Sequence, residues 1–296
     1  MKHTPRIIGG LLIIIAALAY FSKLQGWIGL GIAGIVLLAA KEAYTQKMLD
    51  TAITALARWK TLFTTALCDA LYWLFVFGAV YFFQWRLQAK ATAAQTAGFV
   101  NKEALANPEI AAQSLASLQG FVSYLYIGLL VLFALVFIAY VLSRGYIWTT
   151  IARQKADKKF FGQWALLNLG WWAIWLPIFI FMLIGTKNYG TQIAGASIAL
   201  ILGVAAYFTA IMHTLYMQTR KKGYSIANGL GWGLSKLHLL IVPYTYAFVI
   251  YIVLYQIFRL FQTTAIMRPI SMLFVVLFIA WLRIYLYHVI KQFKQY

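Results

Sequence analysis

Two residues of this chain carry charge where charge is costly. Asp69 lies about seven residues into the apolar run 62–83, and Arg283 about seven residues from the end of the run 270–290. At roughly 1.5 Å of rise per helical residue, each stands about 10 Å inside its run. An ionised group at such depth costs roughly 2.5–3.5 kcal/mol or more in hydrocarbon, so it pairs or faces water. The spacing predicts that Asp69 meets Arg283 and draws their two helices together. Such a pair can gate a cavity or hold a substrate there. It can also do no more than clamp two helices, which is the plainer reading.

Asn168, His213, His238 and His288 fall at the ends of four later runs, on the same side as Asp69 and Arg283. Together they predict a polar layer near one face of a membrane. In a transport protein this layer would be a vestibule, with histidines able to carry protons near neutral pH. The plainer alternative is that helix ends are wet and collect polar residues. No helix carries its histidines at ligand spacing, so no metal site is expected. Cys68 is the only cysteine, which rules out an intrachain disulfide.

Catalytic constellations are missing from the sequence. It has no His-Glu-x-x-His and no Gly-x-Ser-x-Gly. Ser197 and His213 sit at opposite ends of one run, too far apart to act as nucleophile and base. The glycines around Trp232 imitate a phosphate-binding loop, but no strand precedes them and no Lys-Ser/Thr follows. Neither catalytic residues nor a cofactor is expected.

Other residues speak to packing. Gly195, Ala199 and Gly203 recur every four residues, a small stripe that lets a neighbouring helix approach closely. Pro177 and Pro243 lie inside runs and predict kinks. Trp27, Trp59, Trp85, Trp148 and Trp164 fall near predicted membrane interfaces, where an aromatic belt belongs. Trp171, Trp172 and Trp175 lie deeper and read as packing residues.

The elements that must position these residues follow from composition. Apolar residues make up 63% of the chain and charged residues 10%. Soluble domains carry roughly 45–50% and about 25%, so the surplus calls for lipid. The apolar runs are 7–21, 27–40, 62–83, 121–142, 164–185, 193–217, 239–261 and 270–290. They are apolar on all faces, so they read as helices and not as barrel strands. The predicted fold is an all-α polytopic transmembrane bundle of about eight segments, six long and two short. The short pair could span if extended to 4–24 and 26–44, with Lys23 and Lys41 snorkelling; a re-entrant pair is the alternative. The first run also imitates a signal peptide, but a second apolar segment follows at once, so it reads as an uncleaved helix.

Charge sets the expected direction. Of the 25 Lys and Arg, Arg259 and Arg283 fall within runs, and Lys23, Arg86, Lys90, Lys102, Lys187 and Arg268 lie on one side. The other 17 lie on the opposite side, which the positive-inside rule places in the cytoplasm with both termini. The expected location is the cell membrane. The formal net charge of +19 is then a match for anionic lipid headgroups, with no call for nucleic acid. Other membrane proteins are the remaining expected partners.

Within a single membrane domain, 1–296, the tripeptides Glu42-Ala43-Tyr44, Arg144-Gly145-Tyr146 and Lys222-Gly223-Tyr224 each follow an inward run. They suggest three hairpin units, 41–142, 143–217 and 218–290, after an N-terminal hairpin 1–40. Each unit would open on an amphipathic segment at the interface. The clearest has Tyr44, Met48, Ala52 and Leu56 against Lys47, Asp50, Thr54 and Arg58, and ends at Trp59-Lys60. The Ala- and Gln-rich segment 84–120 reads as a small outer helical cap, with a helix start at Asn107-Pro108-Glu109. Two functions fit: passage of a small molecule, ion or lipid through an inward-facing polar vestibule, or a non-catalytic accessory subunit packed against other membrane proteins.

Overall fold

The computed structural model describes residues 4–21, 27–96, 108–186, 191–261 and 267–293. These form ten helices: α1 (Thr4–Phe21), α2 (Trp27–Ala39), α3 (Glu42–Ala57), α4 (Trp59–Thr96), α5 (Pro108–Ala152), α6 (Lys158–Thr186), α7 (Thr191–Thr219), α8 (Lys222–Ser235), α9 (Leu237–Phe261) and α10 (Met267–Phe293). Six of them, α4 to α7, α9 and α10, are long and apolar enough to cross a membrane. In hydrocarbon each backbone N–H and C=O must be satisfied within its own segment, and a continuous helix achieves this. The chain is a multi-span membrane protein. Pro177 and Pro243 lie inside unbroken helices.

Several elements differ from expectation. The second short run does not extend to Tyr44: α2 stops at Ala39, and Lys41 leaves helical geometry at φ −57°, ψ 127°. With 13 residues α2 rises about 20 Å, short of a hydrocarbon core of about 30 Å. The middle tripeptide, Arg144-Gly145-Tyr146, opens no separate helix; it lies inside α5, which runs on to Ala152. The expected outer cap is no separate helix among the described residues. α4 continues to Thr96 and α5 begins at Pro108, so the Ala-rich stretches simply prolong the spans. Residues 97–107 lie outside the described part. Proline suits the first helical position because its missing N–H has no partner there in any case.

The chain groups into two compact units. One comprises Met1–Leu67 with Ile147–Tyr296, the other Cys68–Tyr146. In the first, α1 and α2 cross at glycines: a β-carbon at Gly34 would stand 2.8 Å from the Gly9 carbonyl oxygen. Gly29 likewise admits the Phe248 ring of α9. α3 is fastened by α9 and α10. Tyr44 Oη donates to the Leu239 carbonyl, Tyr246 Oη to the Thr45 carbonyl at 3.3 Å and Trp281 Nε1 to the Ala52 carbonyl at 3.1 Å. Its predicted apolar face is therefore divided. Met48 and Ala52 are buried, while Leu56 stays exposed and available to lipid.

α8 lies on α7 through two glycines four residues apart. A β-carbon at Gly229 would come within 3.1 Å of Met212, and one at Gly233 would overlap the Phe208 ring. Tyr207 Oη donates to the Gly233 carbonyl at 2.6 Å and closes the contact. The close approach forecast for Gly195, Ala199 and Gly203 is not made within this unit. All three are exposed, and a side chain at either glycine would meet nothing within 4 Å.

The second unit is an antiparallel hairpin of α4 and α5. Gly128 leaves room for the Phe83 ring, which stacks on Tyr124 at 5.9 Å. Nearer the other end, Tyr72 meets Tyr140 edge-on at 6.2 Å, and Ser143 Oγ donates to the Cys68 carbonyl at 3.3 Å.

Candidate functional site

Each unit holds one buried polar centre. In the first, α6 starts where Asp157 Oδ1 accepts the Phe160 N–H at 2.7 Å, an N-cap that satisfies one free donor of the first turn. From there Phe160, Trp164, Leu167, Asn168 and Trp171 recur at helical spacing and are buried as one stripe. It meets His213 and Tyr216 of α7, also buried.

Asn168 is fully buried and both ends of its amide are used. Nδ2 donates to the Trp164 carbonyl at 2.8 Å. That leaves Oδ1 facing His213 Nε2 at 2.8 Å, so Nε2 carries the proton in this contact. The imidazole is boxed by Trp164, at 4.4 Å between ring centres, and by Trp148 edge-on at 5.3 Å. Trp171 Nε1 donates to Thr209 Oγ1 at 2.7 Å one turn deeper. A polar pair is thus enclosed by indole rings.

Of the four residues predicted to form a vestibule, the structure brings Asn168 and His213 together. His238 is exposed near the start of α9. His288 is half-buried, and its Nδ1 lies 2.7 Å from the Ile284 carbonyl of its own helix. Trp148 and Trp164, assigned to an interfacial belt from sequence, instead belong to the core. Trp59 and Trp85 are exposed as a belt requires.

The second centre lies inside the hairpin. Asp69 forms an ion pair with Arg144, and their side chains are only 3% and 9% exposed. The guanidinium also lies 4.8 Å from the Tyr72 ring centre and 5.8 Å from that of Tyr140. A cation over two aromatic faces gains further in a dry setting. The cation that meets Asp69 within its own unit is therefore Arg144, which the loop count had placed at the surface. Arg283 is half-buried on α10, in the other unit, and has contacts of its own.

Two cavities among the described residues lie away from both centres. One of about 180 Å³ is lined by Tyr251, Leu254, Tyr255, Phe258, Ser271, Val275 and Phe278 of α9 and α10. Another of about 390 Å³ opens between α2 and α9, beside Gly29, Ile32, Tyr244 and Phe248. Both are mainly apolar, and neither is lined by Asp69, Asn168, His213 or Arg283.

Sequence reasoning put Arg144 and Trp148 at the surface and saw no packing role for Gly229 and Gly233. A signal existed for each. Ile147, Trp148 and Ile151 continue the helical apolar spacing past Arg144, and Gly229 and Gly233 repeat the four-residue spacing of a small-residue contact. No protein-family model, curated protein or solved structure matches this chain.

Proposed function

We propose that this chain is a non-catalytic accessory subunit that packs its α4–α5 hairpin against transmembrane helices of another membrane protein. One observation carries this reading. Asp69, Asn168 and His213, three of the groups a vestibule would present, are buried and paired, while the hairpin keeps most of its apolar surface exposed. Only 11% and 6% of the most apolar stretches of α4 and α5 are buried, against 33% for α9 and α10. Leu74, Phe77 and Leu130 are each well exposed on this surface. Helices meet in lipid through packing of such side chains, with no need for a water-driven force.

In this reading the protein resides in the cell membrane with both termini in the cytoplasm, supported by the excess of Lys and Arg in the loops on that side. The test is photo-crosslinking in native membranes from residues 74, 77 and 130, with residue 200 on α7 as the comparison. A discrete protein adduct from the hairpin positions and none from residue 200 is the expected result. Lipid adducts alone at all four positions would remove the basis of the proposal.

A second reading, passage of a small solute or ion, draws support from the ionised pair Asp69–Arg144 inside the membrane-spanning hairpin, since such groups often line transport paths. It requires solute flux in proteoliposomes that Asp69→Asn abolishes while the protein stays folded.

A further inference from the structure

We propose that the paired loops after α5 and α7 form one docking site for the headgroup phosphates of anionic phospholipids. After Ala152 the chain turns at Arg153, with φ 55°, and re-enters helix at Lys158. After Thr219 it turns at Arg220, also with φ 55°, and re-enters helix at Lys222. Gln154 ties the two turns together. Its Nε2 donates to the Met217 carbonyl at 2.9 Å, and its Oε1 accepts from Arg220 Nη2 at 2.7 Å. Arg220 also lies 4.4 Å from the Phe160 ring centre. The two loops are thereby fixed as one surface.

That surface is cationic. Arg153, Lys155, Lys158, Lys159, Lys221 and Lys222 are all exposed on it. The only carboxylate between residue 110 and residue 296 is Asp157, and it is engaged in capping α6. Two features show that the local structure works against this charge. Lys158 and Lys159 open α6, where the helix dipole disfavours cations. Arg153 and Arg220 hold a left-handed backbone that glycine would adopt without a clash. The sequence nonetheless keeps cations at all of these positions.

Height selects the anion. The spans Ala111–Ala152, Lys158–Thr186 and Gly195–Thr219 end in these two loops. The cations therefore stand where a bilayer holds its phosphates, and anionic headgroups there attract lysine and arginine. Tyr224, exposed on α8 beside Lys221 and Lys222, is a residue suited to that depth.

The test uses the full chain purified in neutral detergent. Binding of dihexanoyl phosphatidylglycerol is titrated beside dihexanoyl phosphatidylcholine and inorganic pyrophosphate. The parent should prefer phosphatidylglycerol to phosphatidylcholine by at least tenfold. K155Q/K158Q/K159Q/K221Q should weaken phosphatidylglycerol binding at least tenfold, whereas K41Q/K60Q/K236Q/K291Q, which removes equal charge elsewhere, should change it less than threefold. Equal losses in the two variants would mean that only net charge matters and would overturn the site. Pyrophosphate binding as tightly as the lipid would overturn the lipid assignment. Should the quadruple variant fail to fold, Arg153→Gly relieves the backbone and removes one cation. It should still lower lipid affinity about threefold, and an unchanged affinity would count against the proposal.

Discussion

At His213 the imidazole has exchanged water for one amide oxygen and two indole rings. Asn168→Leu keeps the branching at Cγ and removes the acceptor of the buried Nε2–H, at a cost of about 1–3 kcal/mol. Thermal unfolding in detergent should show a midpoint several degrees lower, and adding His213→Phe should recover much of it. Asp69 carries higher stakes. Asp69→Leu strands Arg144 as a buried cation, for which the expected loss is about 3–5 kcal/mol, read as a fall in folded yield and melting temperature. The exchange D69R/R144D should restore folded yield, and D69R/R283D should not. The opposite outcome would make Arg283 the working partner. The sequence made Asp69 legible because a lone carboxylate in an apolar run stands out. Arg144 escaped notice because the first cation after a run looks like a surface anchor; its partner is distant along the chain.

Among the elements, α3 and α8 show how interfacial helices are held. Gly233→Val drives a side chain into Phe208, and such overpacking costs about 1–3 kcal/mol. Hydrogen exchange should rise along α8 while α6 stays protected. Gly231→Ala meets open space and should instead stabilise by about 0.5–1 kcal/mol. For α3, burial pushes the Tyr44 phenol above the ordinary tyrosine range. An unfolded tyrosine ionises near 10. Since the folded value is the higher one, the contribution of Tyr44 is complete below about pH 10 and is lost as pH rises further. Tyr44→Phe should therefore lessen the alkaline loss of stability, measured by unfolding midpoints between pH 9 and 11. The six long helices were plain in the sequence, because apolar runs of that length have one solution in lipid. Their ends were not. Polar Ala- and Gln-rich residues continue a helix as readily as they leave it, so the run 121–142 concealed a helix of 45 residues.

For the whole molecule, direction in the membrane is the property most open to test. With Cys68 replaced by Ser, single cysteines at residues 93 and 155 should label from opposite sides of sealed vesicles, residue 155 from the cytoplasmic side. Labelling of both from one side would contradict the span count. The hairpin offers a further consequence. α4 runs on to Thr96, 13 residues past its apolar run, and α5 begins 13 residues before its own. At 1.5 Å per residue each arm overshoots by about 20 Å, well past the headgroups. The overshoot is a handle that stands clear of the lipid. Neither helix breaks between this handle and the residues Asp69 and Arg144. A mechanical pull on it would arrive at the buried charges without crossing a joint.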